Sequence, residues 1–334
     1  MLSRVANSLY WLSRYLERAQ NLTRLVDVNR YDALDAIVTS NEDADSPWHP
    51  LLYATGAEES YQEAKAAAGG NLDVTWFITF SNEQDSIRQC IAQARENARM
   101  VRDQISEEMW LELNSFHLFM HSTEAQTLWR ERPENFYRKT IKACMLFSGL
   151  INATILHDEG WHFMAAGIYL ERADKTTRVL DMLALDADPD RGKLASALRS
   201  CSAFSAFRAD NPGDVTLNNV MEFLLFSPSF PRSVRFCLRQ VDSQLHAISA
   251  TQGGSFSNEA ERLTGSALAQ LNFSTIQNVL AEGYHPFIDE LQSQFNKIGR
   301  QIFETYILLP QEINSLPKYQ TTQWQWQQQQ QQQQ

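Results

Sequence analysis

Apolar residues recur at helical spacing along most of the chain. In the first segment Leu9, Leu12, Leu16 and Ala19 lie three or four positions apart, so they share one face of an α-helix. The pattern predicts one long helix over residues 3–37. Stretches rich in Gly, Pro, Asn and Asp interrupt the later pattern, and these are typical of connections between helices.

Shorter helices are predicted after the first one. A capping box at residues 81–84, with Ser at the N-cap and Gln three positions later, predicts a helix that ends near residue 106. Pro231 is predicted in the first turn of another helix. A second long helix is predicted to start at Asp158, and another helix to run from Asp190 to residue 209. A helical segment with a break at Gly56 is predicted over residues 51–68. The other predicted helices cover residues 107–130, 133–156, 215–226, 259–281 and 286–306.

Residues 74–80, Val-Thr-Trp-Phe-Ile-Thr-Phe, are the one segment with the composition of a β-strand. A lone strand would have no partner for its backbone hydrogen bonds, so we expect a buried helix here. The predicted fold class is therefore all-α, a multi-helix bundle.

One stretch of thirteen residues occurs twice. Residues 15–27 read Tyr-Leu-Glu-Arg-Ala-Gln-Asn-Leu-Thr-Arg-Leu-Val-Asp, and residues 169–181 read Tyr-Leu-Glu-Arg-Ala-Asp-Lys-Thr-Thr-Arg-Val-Leu-Asp. Eight of the thirteen positions are identical at a constant offset of 154 residues (171 − 17). Two copies are too few for a solenoid, so the match predicts an internal pseudo-repeat of a long motif-bearing helix within one bundle.

The charges of the second copy lie on a helix that is apolar nearly all round. Met164 and Ile168 share a stripe with Glu171 and Arg178, and the opposite face is also apolar. We expect Glu171, Arg172 and Arg178 to be at least partly buried, and an unpaired buried charge costs several kcal/mol. They therefore need partners; the alternative is two solvated faces with ordinary surface ion pairs.

The spacing of Glu and Arg within the motif indicates which helices can supply the partners of these charges. Glu17 and Arg24 are two helical turns apart, about 10 Å along the axis, which is too far for a direct pair. Glu171 and Arg178 have the same spacing. Each glutamate therefore needs a partner from another helix. Arg88, Arg95, Arg99 and Arg102 form a basic stripe on a predicted helix: its default interpretation is a solvated face, and the alternative is pairing with the buried glutamates.

Composition excludes several functional classes. The 334 residues are 43% hydrophobic, enough for one large or two ordinary domains, and carry a net charge of −11. That charge argues against nonspecific nucleic-acid binding and against binding to an anionic membrane surface. Neither an apolar signal-peptide core at the N-terminus nor a membrane-spanning run occurs. The cysteines, Cys90, Cys144, Cys201 and Cys237, fall in apolar helical patterns, which predicts buried reduced thiols and favours the cytoplasm.

Motifs for metal or cofactor chemistry are weak. Glu159 and His162 have the spacing of a di-iron helix bundle, but no second pair of this kind occurs. His117 and His121 could hold zinc, yet no motif supplies a third ligand. No G-x-S-x-G, Walker or G-x-G-x-x-G motif is present. We predict no metal and no cofactor.

Six stretches together carry a family resemblance: residues 8–19, 48–52, 94–110, 158–161, 169–174 and 231–235. On these stretches the chain resembles the bacterial alpha-E domain family, which is named for a Glu-Arg motif in helices. The resemblance covers nearly the whole chain except its end. We expect a single alpha-E helical domain over residues 1–310, with pseudo-repeat halves of about 1–156 and 157–310, and a disordered Gln-rich tail over 311–334.

The resemblance implies an all-helical fold but no established reaction. Family members are typically encoded beside circularly permuted ATP-grasp ligases and transglutaminase-like peptidases, which implies a role in making or processing peptide-like amide bonds. We expect a non-catalytic cytoplasmic partner or scaffold for such a ligase, one that could bind a carboxylate-bearing substrate through buried Arg and Glu clusters. One alternative is an enzyme with Glu17 and Glu171 as acid–base groups whose pKa is raised by burial, and another is a purely structural motif.

The candidate motif and binding residues, none of them assigned as catalytic, are Arg14, Glu17, Arg18, Asn21, Arg24, Arg95, Glu96, Arg99, Arg102, Asp158, Glu159, Trp161, Glu171, Arg172, Arg178, Arg232 and Arg235.

Overall fold

The computed structural model describes residues 1–39, 45–186 and 188–308. Within these ranges the protein is all-α, as predicted, with sixteen α-helices, one short 3-10 helix (Ser46–Trp48) and no strand. The predicted Gln-rich tail lies outside them. None of the helices in these ranges combines the length and the apolar composition that crossing a bilayer requires.

The helices, α1 to α16 in chain order, are Ser3–Thr39, His49–Thr55, Glu58–Ala67, Val74–Phe80, Ile87–Met100, Glu107–Met120, Thr123–Glu131, Pro133–Ala153, Glu159–Ala184, Arg191–Ser200, Phe204–Asp210, Leu217–Phe226, Val234–Ser249, Glu259–Phe273, Ile276–Glu282 and Tyr284–Tyr306.

The two motif-bearing helices, α1 and α9, form the centre of the bundle. They pack against each other over most of α9, while α5 and α8 cover α1, and α13 and α16 cover α9. Asp158 caps α9 as predicted, because its carboxylate accepts from the backbone N–H groups of Gly160 and Trp161 at 2.9 and 3.3 Å. The predicted burial of α9 is confirmed, since its side chains are covered on nearly every face.

Apolar side chains fill two neighbouring clusters around these helices. The larger contains Phe136, Leu198 and Val241, and the smaller lies between α1, α5 and α6 around Leu12 and Met109. Burial of each large apolar side chain stabilises the fold by about 1.5–3 kcal/mol. All four cysteines are free and buried within this packing, as predicted.

The strand-like segment at residues 74–80 is indeed a buried helix, α4. Asp73 caps it by accepting from the N–H of Trp76 at 2.8 Å. The predicted capping box that follows is wrong, because Ser81 terminates α4 instead of starting the next helix. Ser86 is the N-cap of α5, accepting from the N–H of Gln89 at 3.3 Å. Since α5 ends at Met100, the predicted extension to residue 106 is also wrong.

Three helices that were predicted as continuous are divided in two. The breaks fall at Ser122, at Ser202 and at Thr275. Ser122 and Thr275 are N-caps whose hydroxyls accept from the backbone of the next helix, and Ser202 has a left-handed φ of 53°. Short polar side chains compete with the helical backbone in this way. Pro231 lies in the turn before α13, not in its first turn, because Ser233 caps that helix.

Candidate functional site

Helices α1 and α9 run in the same direction, in register with the sequence repeat. Polar contacts between them join Ser13 to Met164 and Arg14 to Glu171, which are 151 and 157 residues apart and bracket the repeat offset. The two helices approach each other closely at Gly167, where a Cβ atom would lie 2.5 Å from Oγ of Ser13 and 2.6 Å from the carbonyl oxygen of Tyr10. The two copies of the motif therefore face each other one turn further along.

Glu171 is fully buried and bound by two arginines of α1. Its carboxylate accepts from Nε of Arg14 at 2.7 Å and from Nε and Nη2 of Arg18 at 2.7 and 3.2 Å. Nζ of Lys175 lies 3.7 Å away. Arg18 also pairs with Asp85 in the loop between α4 and α5. The predicted burial and interhelical pairing of Glu171 are confirmed.

Glu17 is buried in the reciprocal position. Its carboxylate accepts from Nη2 and Nε of Arg172 at 2.8 and 3.2 Å, and from Nη1 of Arg232 at 2.5 Å. The amide of Asn21 donates to it at 3.1 Å. The turn carrying Arg232 is held against α9, because the hydroxyl of Thr176 donates to the Arg232 carbonyl at 2.9 Å.

These ion pairs set the protonation state of both glutamates. Burial alone would raise the pKa of Glu17, but Arg172 and Arg232 outweigh it and hold that pKa well below its usual value. Burial likewise opposes the charge of Glu171, and Arg18 and Arg14 lower its pKa in the same way. An acid–base catalyst at neutral pH needs a raised pKa. The expectation of raised pKa values, on which the enzyme alternative depended, is wrong.

The second arginine of each copy binds the C-terminal end of a flanking helix. Nε of Arg24 donates to the carbonyl of Ser200, the last residue of α10, at 3.0 Å. Nη1 of Arg178 donates to the carbonyl of Ala54, near the end of α2, at 3.0 Å. Carbonyl groups at a helix C-terminus lack intrahelical partners and favour a cation. The motif thus attaches outer helices to the central pair.

Arg24 and Arg178 differ in how their charge is balanced. Arg178 also pairs with Asp174, Nε to Oδ2 at 3.1 Å. Arg24 donates to Asn21, while its Nη1 has no hydrogen-bond partner within the described residues. Burial and then the neighbouring Arg232 lower the pKa of Arg24 to about 9, which still leaves it charged at neutral pH.

The second group of arginines that was proposed to pair with the glutamates lies elsewhere. Arg95 donates to Asn114 at 2.8 Å and pairs with Glu96, which also pairs with Arg99. Arg102 lies over the ring of Trp110. Arg95 and Arg102 thus contact α6, and Glu96 and Arg99 pair within α5. The proposal that these arginines pair with Glu17 or Glu171 is therefore wrong.

Four other candidate residues are also outside the central cluster. Asp158 is a helix cap, and the exposed carboxylate of Glu159 lies 2.8 Å from the amino group of Met1. Trp161 stacks on His157 with ring centroids 4.1 Å apart. Arg235 donates to Asn272 at 2.8 Å. These contacts stabilise the surface around α9 and α13.

The candidates lacked three charged members of the cluster, Asp85, Asp174 and Lys175, and the uncharged Gln20, which accepts from Nη2 of Arg232 at 3.2 Å. Asp174 and Lys175 occupy the motif positions of Gln20 and Asn21 in the first copy, so the comparison of the two copies contained a signal for them. Asp85 lies in a loop, where no periodicity indicates the direction of a side chain.

Potential metal ligands gather at one place in the described part of the chain. Ligand atoms of Asp181, His285 and Asp289 lie within 4.8 Å of one another. Nδ1 of His285 is 2.6 Å from Oδ1 of Asp181, so a hydrogen bond between these two side chains accounts for their approach. The ring centroids of His117 and His121 lie 4.2 Å apart with the rings tilted by 39°, and burial lowers the pKa of His117 to about 4.

Two cavities lie on the Glu171 side of the helix pair. Their volumes are about 870 Å³ and about 410 Å³. They share a wall made of Arg18, Gln84, Asp85, Lys175 and Arg178. Neither cavity is lined by Glu17 or Glu171, so the ion pairs close both glutamates off from them.

A family model described as a predicted alpha-helical domain with a conserved ER motif, the Alpha-E family, matches residues 1–307. The chain belongs to the Alpha-E family. The Glu-Arg pairs at 17–18 and 171–172 fit that description.

The curated relatives are uncharacterised and much longer. A protein of Mycobacterium bovis is 25% identical over 333 residues, covering 92% of this chain and 37% of that protein. Proteins from two strains of Mycobacterium tuberculosis match with the same identity and coverage. The chain thus spans little more than a third of their length. No solved structure shows significant similarity to it.

Proposed function

We propose that the protein is a non-catalytic helical partner of an ATP-grasp-type amide ligase system in the cytoplasm. The observation that carries the proposal is that the acidic and the cationic residues between α1 and α9 differ in their access to the two cavities. Glu17 and Glu171 are closed off by ion pairs, whereas the cationic partners of Glu171, which are Arg14, Arg18 and Lys175, reach the walls of two cavities. The glutamates thus stabilise the fold, and the cationic side chains are positioned to contact a ligand or a partner protein.

The relatives support a partner role in a second way. In the mycobacterial proteins the matching region is 37% of the chain, so most of each polypeptide lies outside it. A domain that is joined to further chain in its relatives is suited to work beside another module. The ligase class comes from the family resemblance, which also implies a transglutaminase-like protein as an alternative partner.

Co-purification tests the proposal. The tagged protein is expressed together with the ATP-grasp-type ligase or transglutaminase-like protein encoded beside its gene, and the complex is analysed by size-exclusion chromatography. We expect one of them to elute with the tagged protein and not with a tagged, unrelated helical bundle. If the ligase and the transglutaminase-like protein both elute separately from the tagged protein at micromolar concentrations, the proposal is contradicted. Turnover of an amide substrate by the protein alone would contradict its non-catalytic part.

A further inference from the structure

The two cavities carry opposite charge. The larger is lined by seven carboxylates and three cationic side chains, and the smaller by six cationic side chains and two carboxylates. Side chains of one sign in a concave, partly dehydrated site focus the electrostatic potential there. The larger cavity therefore favours a cationic group, and the smaller favours an anionic one.

Part of this charge is unpaired. Glu59, Glu63 and Glu83 line the larger cavity and have no ion-pair partner in the described residues. Lys297 lines the smaller cavity and has none there either. The charges at the shared wall are, in contrast, held by fixed partners: Arg18 by Glu171 and Asp85, and Arg178 by Asp174. The wall is rigid, and the outer charges are available to a ligand.

The smaller cavity also has an aromatic surface. Trp11, Tyr15 and Phe295 line it beside the cationic groups. Binding sites for organic molecules combine apolar walls with a few placed polar groups. This surface fits a carboxylate carried on an organic chain better than it fits an inorganic anion.

We propose that the two cavities form one bipolar cleft for a short peptide-like zwitterion. Its carboxylate end lies in the smaller cavity beside Arg14 and Lys297, and its ammonium end lies in the larger cavity near Glu59 and Glu63. Its middle crosses the shared wall. This inference deepens the proposed function, and rests on it, by naming the substrate class that an amide ligase system would present or receive.

Calorimetric titration of the full-length protein with three synthetic peptides tests the cleft. The first is Ala-Gly-Gly-Glu with both ends free, the second has an acetylated N-terminus, and the third has its C-terminal carboxyl amidated and its Glu replaced by Gln. We expect the free peptide to bind in the millimolar range or tighter, and each blocked peptide to bind about fivefold more weakly or worse. Equal binding of all three peptides, or no binding of the free peptide at millimolar concentration, would overturn the proposal.

Substitution of two exposed residues that line the cavities shows which end of the peptide lies in which cavity, and it does not disturb the buried ion pairs. K297Q is expected to weaken the free and acetylated peptides about fivefold but not the peptide without carboxylates. E63Q is expected to weaken the free peptide and the peptide without carboxylates about fivefold but not the acetylated peptide. K142Q on α8 and E222Q on α12 remove exposed charges that line neither cavity and should leave binding unchanged. If the control variants weaken binding as much as K297Q and E63Q do, the proposal that the peptide binds in this cleft is wrong. Because no ligase is present, this result is independent of the co-purification experiment.

Discussion

Nε of Arg18 lies 2.7 Å from Oε1 of Glu171, and the two side chains are 5% and 0% exposed. The pair of Arg172 with Glu17 repeats this contact in the opposite direction. Each long helix therefore gives one carboxylate to its partner and receives one from it. The repeated Glu-Arg dipeptide is the smallest sequence that allows such an exchange, because both residues must lie at the same level of two parallel helices.

Removal of either motif carboxylate should strongly destabilise the protein. Glu171→Gln leaves Arg14 buried without a counter-charge and Arg18 with Asp85 alone, so we expect a loss of about 3–5 kcal/mol in the free energy of unfolding. Glu17→Gln should have a similar effect through Arg172 and Arg232. Urea denaturation followed by circular dichroism measures both. The exposed Glu222→Gln should stay within about 0.5 kcal/mol of the wild type. A loss below about 1 kcal/mol for Glu171→Gln would show that its ion pairs contribute little.

The Glu17–Arg172 contact should appear as a coupling energy. In a double-mutant cycle with Glu17→Gln and Arg172→Gln, the second substitution costs less once the first is present, because the two side chains contact each other. We expect a coupling of about 1–3 kcal/mol from urea denaturation. The matched cycle with Glu17→Gln and Arg235→Gln joins residues without a shared contact and should be additive within about 0.5 kcal/mol. Equal coupling in the two cycles would argue against a specific pair.

The close approach of the two long helices makes Gly167 irreplaceable by alanine. A Cβ atom there would lie 2.6 Å from the backbone oxygen of Tyr10, so the helices must move apart. We expect Gly167→Ala to cost about 1–3 kcal/mol. Gly149→Ala on α8 is the control, since its Cβ would meet nothing within 4 Å and alanine favours a helix by up to about 1 kcal/mol. Thermal and urea denaturation compare the two; a stabilising Gly167→Ala would contradict the in-register contact.

The central helix pair could be predicted because its signals lie within the sequence repeat. The offset of the two copies indicated that they act together, and the apolar surroundings of Glu171 indicated burial. The seven-residue step from Glu17 to Arg24 indicated that partners come from other helices. Arg232 entered the candidates through the family resemblance.

Other features depend on tertiary structure that no periodicity encodes. Asp85 reaches Arg18 from a loop, and the opposite charge of the two cavities comes from elements far apart in sequence. Arg95 and Arg99 repeat at helical spacing as a buried stripe would, yet Arg95 contacts α6 and Arg99 is exposed, because Ala94 and Ala98 are among the residues of α5 that pack inward. The breaks at Ser122 and Thr275 required a choice between helix propagation and capping that local sequence leaves open.

Acid should unfold the protein through the motif carboxylates. Arginine neighbours lower the pKa of Glu17 and Glu171 against the opposing effect of burial. A lowered pKa in the folded state contributes stability that is present above the ordinary glutamate value of 4.5 and is lost as the pH falls toward the folded-state value. We expect the free energy of unfolding to decline below about pH 5, and to decline less steeply in Glu171→Gln. Identical pH dependence of the two proteins would contradict this linkage.

The charge state of the two buried glutamates can be measured directly by following the side-chain carboxyl ¹³C signals during an NMR pH titration. Glu17→Gln and Glu171→Gln assign the two signals wherever they remain folded, and Glu222 reports an exposed carboxylate. If the ion pairs hold both groups, their signals stay at the ionised position down to the pH at which the protein unfolds. Titration of Glu17 or Glu171 at or above the ordinary glutamate value of 4.5 in the folded protein would contradict the assignment of the motif as a pair of buried, permanently charged links.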